Sequence, residues 1–340
     1  MLTDVRISRR SFLIGVAGFG VIPVLHDRHS MFCDPPTRLA FVGMGSAGNA
    51  FVAQTLHANA EVVACCDVRP DVFRQTLDTL SASNVHPVFV TDYRELLCLK
   101  GVDAIVVATP VDSRASIVRD AIAARKHVFV RSPYSLDLAE ATNIFEDSVK
   151  KKRLLMHASS VWGWDLDSIV TTLRHLRIGP AVEVNAFHGA KSAYGKSATD
   201  TLLDTASVVA RLIPGATPET LTTLPFVGQM GQRLEMSYST PHGRARTAIT
   251  SRRLRADLSA EHELRLGIRS FARSWTVQVE SLAVDDSRHF SPDAIHSFLN
   301  QIHDNNSTEW RAKNSEALDL CRIAIAIQAS TIDRRTVSVA

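Results

Sequence analysis

Arg38-Leu39-Ala40-Phe41-Val42-Gly43-Met44-Gly45-Ser46-Ala47-Gly48 is the stretch that decides how this chain folds. The run from Arg38 to Val42 has the apolar character of a short buried parallel strand. It ends in a G-x-G-x-x-G turn, and a helical pattern follows from Asn49 to Leu56. The glycines have separate tasks. Gly43 permits a tight turn, Gly45 lets a ligand approach the backbone, and Gly48 lets the helix pack close. The amides that open the helix meet a phosphate at the positive end of the helix dipole, and Met44, Ser46 and Ala47 are expected cofactor contacts with the glycines.

Outward from the turn, strand and helix patterns alternate. A strand at Glu61 to Cys66 ends in Asp67, nineteen positions after Gly48. That is where an acidic residue would bind the adenosine ribose of a dinucleotide. A helix near Asp71 to Leu80 and strands at Val88 to Val90 and Ala104 to Ala108 come next. A helix from Ser113 to Ala124 and a strand at His127 to Val130 complete the alternation. The expectation is an α/β fold, an N-terminal Rossmann domain with a doubly wound parallel sheet. Asp67 repels a 2′-phosphate and favours NAD; Arg69, able to neutralise such a phosphate, keeps NADP as the alternative.

After about Leu154 the pattern changes. Helices are expected at Asp165 to Leu176 and Thr201 to Leu212, and a strand at Ala181 to His188. Alternating runs at Arg233 to Thr240, Arg244 to Thr250, Glu261 to Ile268 and Ser274 to Glu280 predict a C-terminal α+β domain with an open, mostly antiparallel sheet. Helices at Pro292 to His303 and Ser315 to Ala329 close the chain, the last with Ala317, Leu320, Cys321, Ala324 and Ile327 on one core-facing stripe. The expected domains are 37–157 and 158–340, the last helix packing back on the Rossmann domain.

Residues 1–36 read as an address. Ser8-Arg9-Arg10-Ser11-Phe12-Leu13 precedes an apolar run from Ile14 to Leu25, too short for a spanning helix, and the pair of arginines resembles a bacterial twin-arginine export signal. No small-x-small cleavage site follows. The expected location is the periplasm or the outer face of the cytoplasmic membrane, with membrane contact only through this segment if it stays attached.

Composition excludes several classes. The 340 residues are 45% apolar and 21% charged with a net charge of +3, a globular balance without charge blocks. Ser251-Arg252-Arg253-Leu254-Arg255 is the nearest approach to a basic patch and reads as a solvated strand end, so no nucleic-acid partner is expected. The five cysteines (Cys33, Cys65, Cys66, Cys98 and Cys321) have neither zinc nor disulfide spacing and read as small buried apolar residues. No metal is expected.

Further motifs carry a resemblance. Glu61 to Asp67, Val102-Asp103-Ala104-Ile105-Val106-Val107-Ala108-Thr109-Pro110 and Ala123 to Val130 occur in the order found in the glucose-fructose oxidoreductase, inositol dehydrogenase and rhizopine catabolism (Gfo/Idh/MocA) family. Gly179 to Val184 and the closing Ala312 to Val339 resemble its second domain. The resemblance implies hydride transfer between a sugar or polyol carbon and a nicotinamide ring. It also implies a cofactor site of Gly43 to Gly48, Asp67, Arg69, Thr109, Pro110, Arg114 and Arg131, and a homo-oligomer formed through the open sheet.

Catalysis is where this chain departs from the family. The family's Glu-Lys-Pro is Arg131-Ser132-Pro133 here, and its Asp-x-Gly-x-His aligns with Asp204-Thr205-Ala206-Ser207-Val208. Arg114 stands where the family often has a histidine. Ser132 and Val208 cannot relay a proton near neutral pH, and losing one positioned acid or base costs roughly 10² to 10⁴ in rate. Three readings stay open: impaired hydride transfer on a small carbohydrate-like substrate, an active enzyme with a relay rearranged onto Lys191, Tyr194 or Lys196, and a non-catalytic scaffold or partner subunit that retains the dinucleotide pocket. His157, His188, Trp162 and Trp164 are further candidates beside the site.

Overall fold

A computed structural model describes residues 3–7, 35–81, 85–158, 181–190, 203, 206, 213, 217–225, 231–241, 243–253, 260–270, 274–282 and 292–339. The chain divides into two compact units, one of Pro35–Trp164 and Asp286–Ile325, the other of Met1–Asp34, Asp165–Asp285 and Ala326–Ala340. The expected arginine signal falls outside the described residues. Its neighbour, strand β1 (Thr3–Ile7), belongs to the second unit.

In the first unit β2 (Thr37–Val42), α1 (Ser46–Thr55), β3 (Ala60–Cys66), α2 (Phe73–Ser81), β4 (Val88–Val90), α3 (Tyr93–Cys98), β5 (Ala104–Val107), α4 (Val111–Ala123), β6 (His127–Arg131), α5 (Leu138–Lys150) and β7 (Leu155–Ala158) follow in turn. The strands form one parallel sheet in the order β4-β3-β2-β5-β6-β7. Because side chains alternate along a strand, each strand supplies two layers of core. Ala40, Val42, Ile105, Val107, Val128 and Val130 face α4 and α5. Leu39, Phe41, Ala104, Val106 and Phe129 face the other way, against Phe51 of α1. A register shift opposite Leu39 and Ala40 inserts Val63 as an extra residue, which puts Val62 and Cys65 in one layer and Ala64 and Cys66 in the other.

Helix α6 (Pro292–Asp304) completes the second layer. Phe298 lies 5.1 Å from Phe129, which meets Phe51 edge-on at 5.4 Å. Each such buried ring stabilises the unit by about 2 to 3 kcal/mol. Trp310 of α7 (Ser307–Asp333) joins this layer, and Ala317, Leu318 and Cys321 of the same helix join the other. The helix starts at Ser307 rather than the expected Ser315 because Asn306 accepts the amides of Thr308 and Glu309 at the start of its first turn.

Helix α5 was not among the expected elements. Its signal is Asp137-Leu138-Ala139-Glu140: the Asp137 carboxylate accepts the Glu140 amide at 2.8 Å, an N-cap.

The second unit holds β8 (Ala181–Ala190), β9 (Thr217–Pro225), β10 (Gly231–Thr240), β11 (Gly243–Arg253), β12 (Ala260–Ser270), β13 (Ser274–Leu282) and β14 (Val337–Ser338). With β1 they form an eight-stranded open sheet in the order β1-β13-β12-β8-β11-β10-β9-β14. Pairing is antiparallel except for β1 with β13 and β8 with β11. Leu234, Met236 and Tyr238 alternate into the core opposite Ala245, Thr247 and Ile249. Ser330 pins the edge by accepting the Thr223 amide at 2.8 Å.

Candidate dinucleotide site

The turn after β2 is held from three sides. Gly43 has φ +92°, and a Cβ there would fall 2.8 Å from the Thr109 amide nitrogen. Its own amide donates to the Cys66 carbonyl at 2.8 Å, which ties the turn to the end of β3. Asp67 follows directly, 9% exposed. One carboxylate oxygen accepts the Met44 amide at 2.8 Å and the other the Arg69 amide at 2.9 Å. The Arg69 guanidinium stands 3.8 Å from the same carboxylate and is itself mostly exposed.

Asn49 holds the turn from within. Its side-chain amide donates to the carbonyls of Met44 at 2.7 Å and Gly45 at 3.3 Å, and its oxygen accepts the Thr76 hydroxyl of α2 at 2.8 Å. Both residues are buried. An asparagine one residue past a G-x-G-x-x-G, with a hydroxyl on the next helix, is the signal that could have found them.

Helix α1 begins at Ser46 with no side-chain cap and no acid in its first turn. Its first orphan amides are therefore available to an anion. A Cβ on Gly48 would fall 1.9 Å from the Gly43 carbonyl oxygen, so the helix start and the strand end meet only because residue 48 is glycine. A Cβ on Gly45 would meet nothing within 4 Å. These residues fit a diphosphate: open space above Gly45, uncapped amides beside it and the Asp67 carboxylate at the end of the neighbouring strand.

On the other side of β2 lie the turns after β5 and β6. Thr109 and Pro110 follow β5; Arg131 ends β6, and the Ser132–Pro133 peptide is cis. Arg114, expected as a cofactor contact, is 6% exposed in α4, and its guanidinium donates to the Thr109 and Pro133 carbonyls, both at 2.8 Å. The Thr109 and Ser132 hydroxyls are buried without a hydrogen-bond partner among the described residues.

Three buried thiols are held in their protonated form. Burial, with the Asp67, Asp92 and Glu95 carboxylates nearby, pushes Cys66 up to about 12, and burial takes Cys65 to about 12 and Cys321 to about 11. Cys98, expected buried, is exposed at the end of α3, while Leu97 and Leu99 on either side of it pack against the core.

Lys191, Tyr194, Lys196, Asp204, Val208, Trp162 and Trp164 lie outside the described residues. His157 is buried in β7, paired in register with Val130, and His188 is in β8. Among the described residues no group of three or more metal-ligating side chains gathers, and no helix is long and apolar enough to cross a membrane.

A six-stranded parallel sheet with a glycine turn at its switch point and an acid ending the neighbouring strand defines the class: a Rossmann domain of the dinucleotide-binding type. Residues 37–159 match the sequence model of the Gfo/Idh/MocA oxidoreductase family, NAD-binding Rossmann fold, so the likeness to that family is shown for this domain. Sequence relatives include a glycosyl hydrolase family 109 protein of Shewanella baltica, 26% identical over 130 residues, or 36% of this chain and 28% of the relative. An alpha-N-acetylgalactosaminidase of Shewanella oneidensis is 27% identical over the same shares. This chain thus spans under a third of the length of those relatives.

Similar solved structures cover both units. A scyllo-inositol dehydrogenase of Lactobacillus casei, with bound NAD(H) and scyllo-inositol, matches with TM-score 0.72 at 14% identity, over 89% of this chain and 99% of that one. A putative myo-inositol dehydrogenase of Sinorhizobium meliloti matches with TM-score 0.71 at 17% identity, over 89% and 100%. At such identities the likeness is one of fold.

Proposed function

We propose that this chain binds NAD in preference to NADP, and that its ordinary hydride transfer on a sugar or polyol hydroxyl is impaired. The observation that carries the binding is the turn itself: Gly45 and the uncapped start of α1 for the pyrophosphate, and buried Asp67 for the adenosine ribose. Asp67 already accepts two amides, and a carboxylate has lone pairs left for ribose hydroxyls. A 2′-phosphate would bring a second negative charge to it.

When bound, the nicotinamide ring supplies a hydride acceptor or donor. The protein's part would be to orient that ring and move the hydroxyl proton. Ser132 occupies the position after β6 where the family's lysine stands, and its hydroxyl holds its proton near neutral pH. The dehydrogenase names of the structural relatives favour a polyol as the ancestral substrate.

The deciding experiment isolates the folded chain, releases and identifies any nicotinamide it carries, and offers sugars, polyols and aryl α-N-acetylgalactosaminides. The last are included because an alpha-N-acetylgalactosaminidase is among the sequence relatives. Bound NAD reduced only over many minutes fits this reading. Reduction within seconds overturns the impairment, and failure to bind either dinucleotide overturns the whole.

We also infer export by a twin-arginine route from Arg9 and Arg10. Replacing both by lysine should leave the protein in the cytoplasm, and unchanged fractionation counts against the inference.

A further inference from the structure

We propose that Arg114 is a positioning residue for the nicotinamide half of the dinucleotide: it ties the turns after β5 and β6 into one platform that presents the Thr109 and Ser132 hydroxyls. The proposal rests on the dinucleotide reading above.

Sheet order fixes which half lies where. The pyrophosphate turn ends β2, with β3 and Asp67 on one side and β5 and β6 on the other. A dinucleotide laid across the carboxyl ends of the strands with its adenosine ribose at Asp67 must carry its other half over the ends of β5 and β6. Val107 pairs with Val130 in register, so Thr109 and Ser132, each two residues further on, leave the sheet side by side.

Beyond those pairs the sheet ladder no longer holds the two turns. Arg114, in the first turn of α4, does so instead. Its Nε donates to the Thr109 carbonyl and its Nη1 to the Pro133 carbonyl, both at 2.8 Å. A planar guanidinium with two donors on separate carbonyls fixes distance and orientation together, which a lysine cannot do. A buried guanidinium is unfavourable unless the bonds it makes replace its lost hydration, and the two carbonyls do so here.

What it holds are two residues whose hydroxyls, Thr109 Oγ1 and Ser132 Oγ, are buried with no hydrogen-bond partner among the described residues. An unmet buried hydroxyl is unfavourable until a ligand supplies the partner. The carboxamide of the nicotinamide carries both a donor and an acceptor suited to that task.

The test compares two ligands. ADP-ribose has the adenosine, both phosphates and both sugars of NAD but no nicotinamide. Calorimetry on the full-length protein, stripped of nucleotide, should show both binding to the wild type. In Arg114→Ala the affinity for NAD should fall by about tenfold or more while that for ADP-ribose changes less than about twofold. Arg114→Lys, which keeps one carbonyl bond, should lie between. Should Arg114→Ala not fold, Arg114→Lys and the double variant Thr109→Val with Ser132→Ala carry the same comparison.

Equal weakening of both ligands, or no change in either, overturns the positioning role and leaves the dinucleotide reading intact. Wild-type protein that binds neither ligand overturns that reading and this proposal with it.

Discussion

The Asp67 carboxylate accepts the Met44 amide at 2.8 Å, which joins the end of β3 to the middle of the glycine turn. One group thereby shapes the turn and faces the place where a ribose would lie. Replacing it removes a charge-assisted bond and an acceptor together. Asp67→Ala should lower NAD affinity by about 10- to 100-fold, from a loss of roughly 1.5 to 3 kcal/mol, and narrow the preference over NADP. Calorimetry with both dinucleotides checks this; an undiminished preference for NAD would remove Asp67 from the recognition.

Gly45 and Gly48 should separate binding from stability. At Gly45 a methyl group meets open space, and the cost to folding is at most about 1 kcal/mol for a poorer helix start. The same methyl occupies the space left for the diphosphate, so Gly45→Ala should fold nearly normally and lose most of its NAD affinity. At Gly48 the methyl lands on the Gly43 carbonyl, 1.9 Å away, and overpacking of that kind costs about 1 to 3 kcal/mol or more. Gly48→Ala should therefore unfold at markedly lower urea. Equal behaviour of the two variants in both measurements would count against the cradle.

The same turn marks how much the sequence could tell. Gly43, Gly45, Gly48 and Asp67 are legible because each answers a backbone or charge requirement at fixed spacing, and strand periodicity reveals β2, β3, β5 and β6 in the same way. Asn49, Thr76 and the Arg114 clamp were not legible, since their partners are backbone carbonyls or residues brought near only by the fold. Arg114 illustrates the difference. The resemblance implies a cofactor contact there, whereas in the structure its two 2.8 Å bonds go to the Thr109 and Pro133 carbonyls of the protein. Strand β9 escaped notice because Thr217–Pro225 has threonines on both faces and a proline at each end, which blurs the alternation.

His127 should make stability depend on pH. Its Nδ1 accepts the Leu154 amide at 3.1 Å, its ring meets Trp310 edge-on at 4.9 Å, and burial, aided by the Arg153 charge, holds its pKa down to about 4. In the unfolded chain the ring takes up its proton near 6.5. Between those values the unfolded state binds the proton and the folded state does not, so stability is complete above about 6.5 and falls as the pH drops towards 4. The loss from pH 7 to pH 5 should be about 2 kcal/mol. Urea unfolding of wild type and His127→Gln at both values measures it, the variant losing less by about that amount; parallel losses would show that other groups govern the acid side.

Ser132 offers the sharpest test of impaired chemistry. It follows β6 directly, its hydroxyl is buried, and the carboxyl ends of β2, β5 and β6 lie next to one another. A lysine there would reach the same face with a group that can exchange a proton once its pKa is lowered by burial, as serine cannot. Since each positioned acid or base contributes roughly 10² to 10⁴ in rate, Ser132→Lys combined with Val208→His should raise the rate of NAD reduction by a polyol at least about 100-fold over the wild type. Single-turnover measurements with NAD bound isolate this step from binding. A wild type already as fast as the double variant would mean that the proton leaves by another route, and Lys191, Tyr194 and Lys196 would then be the residues to replace.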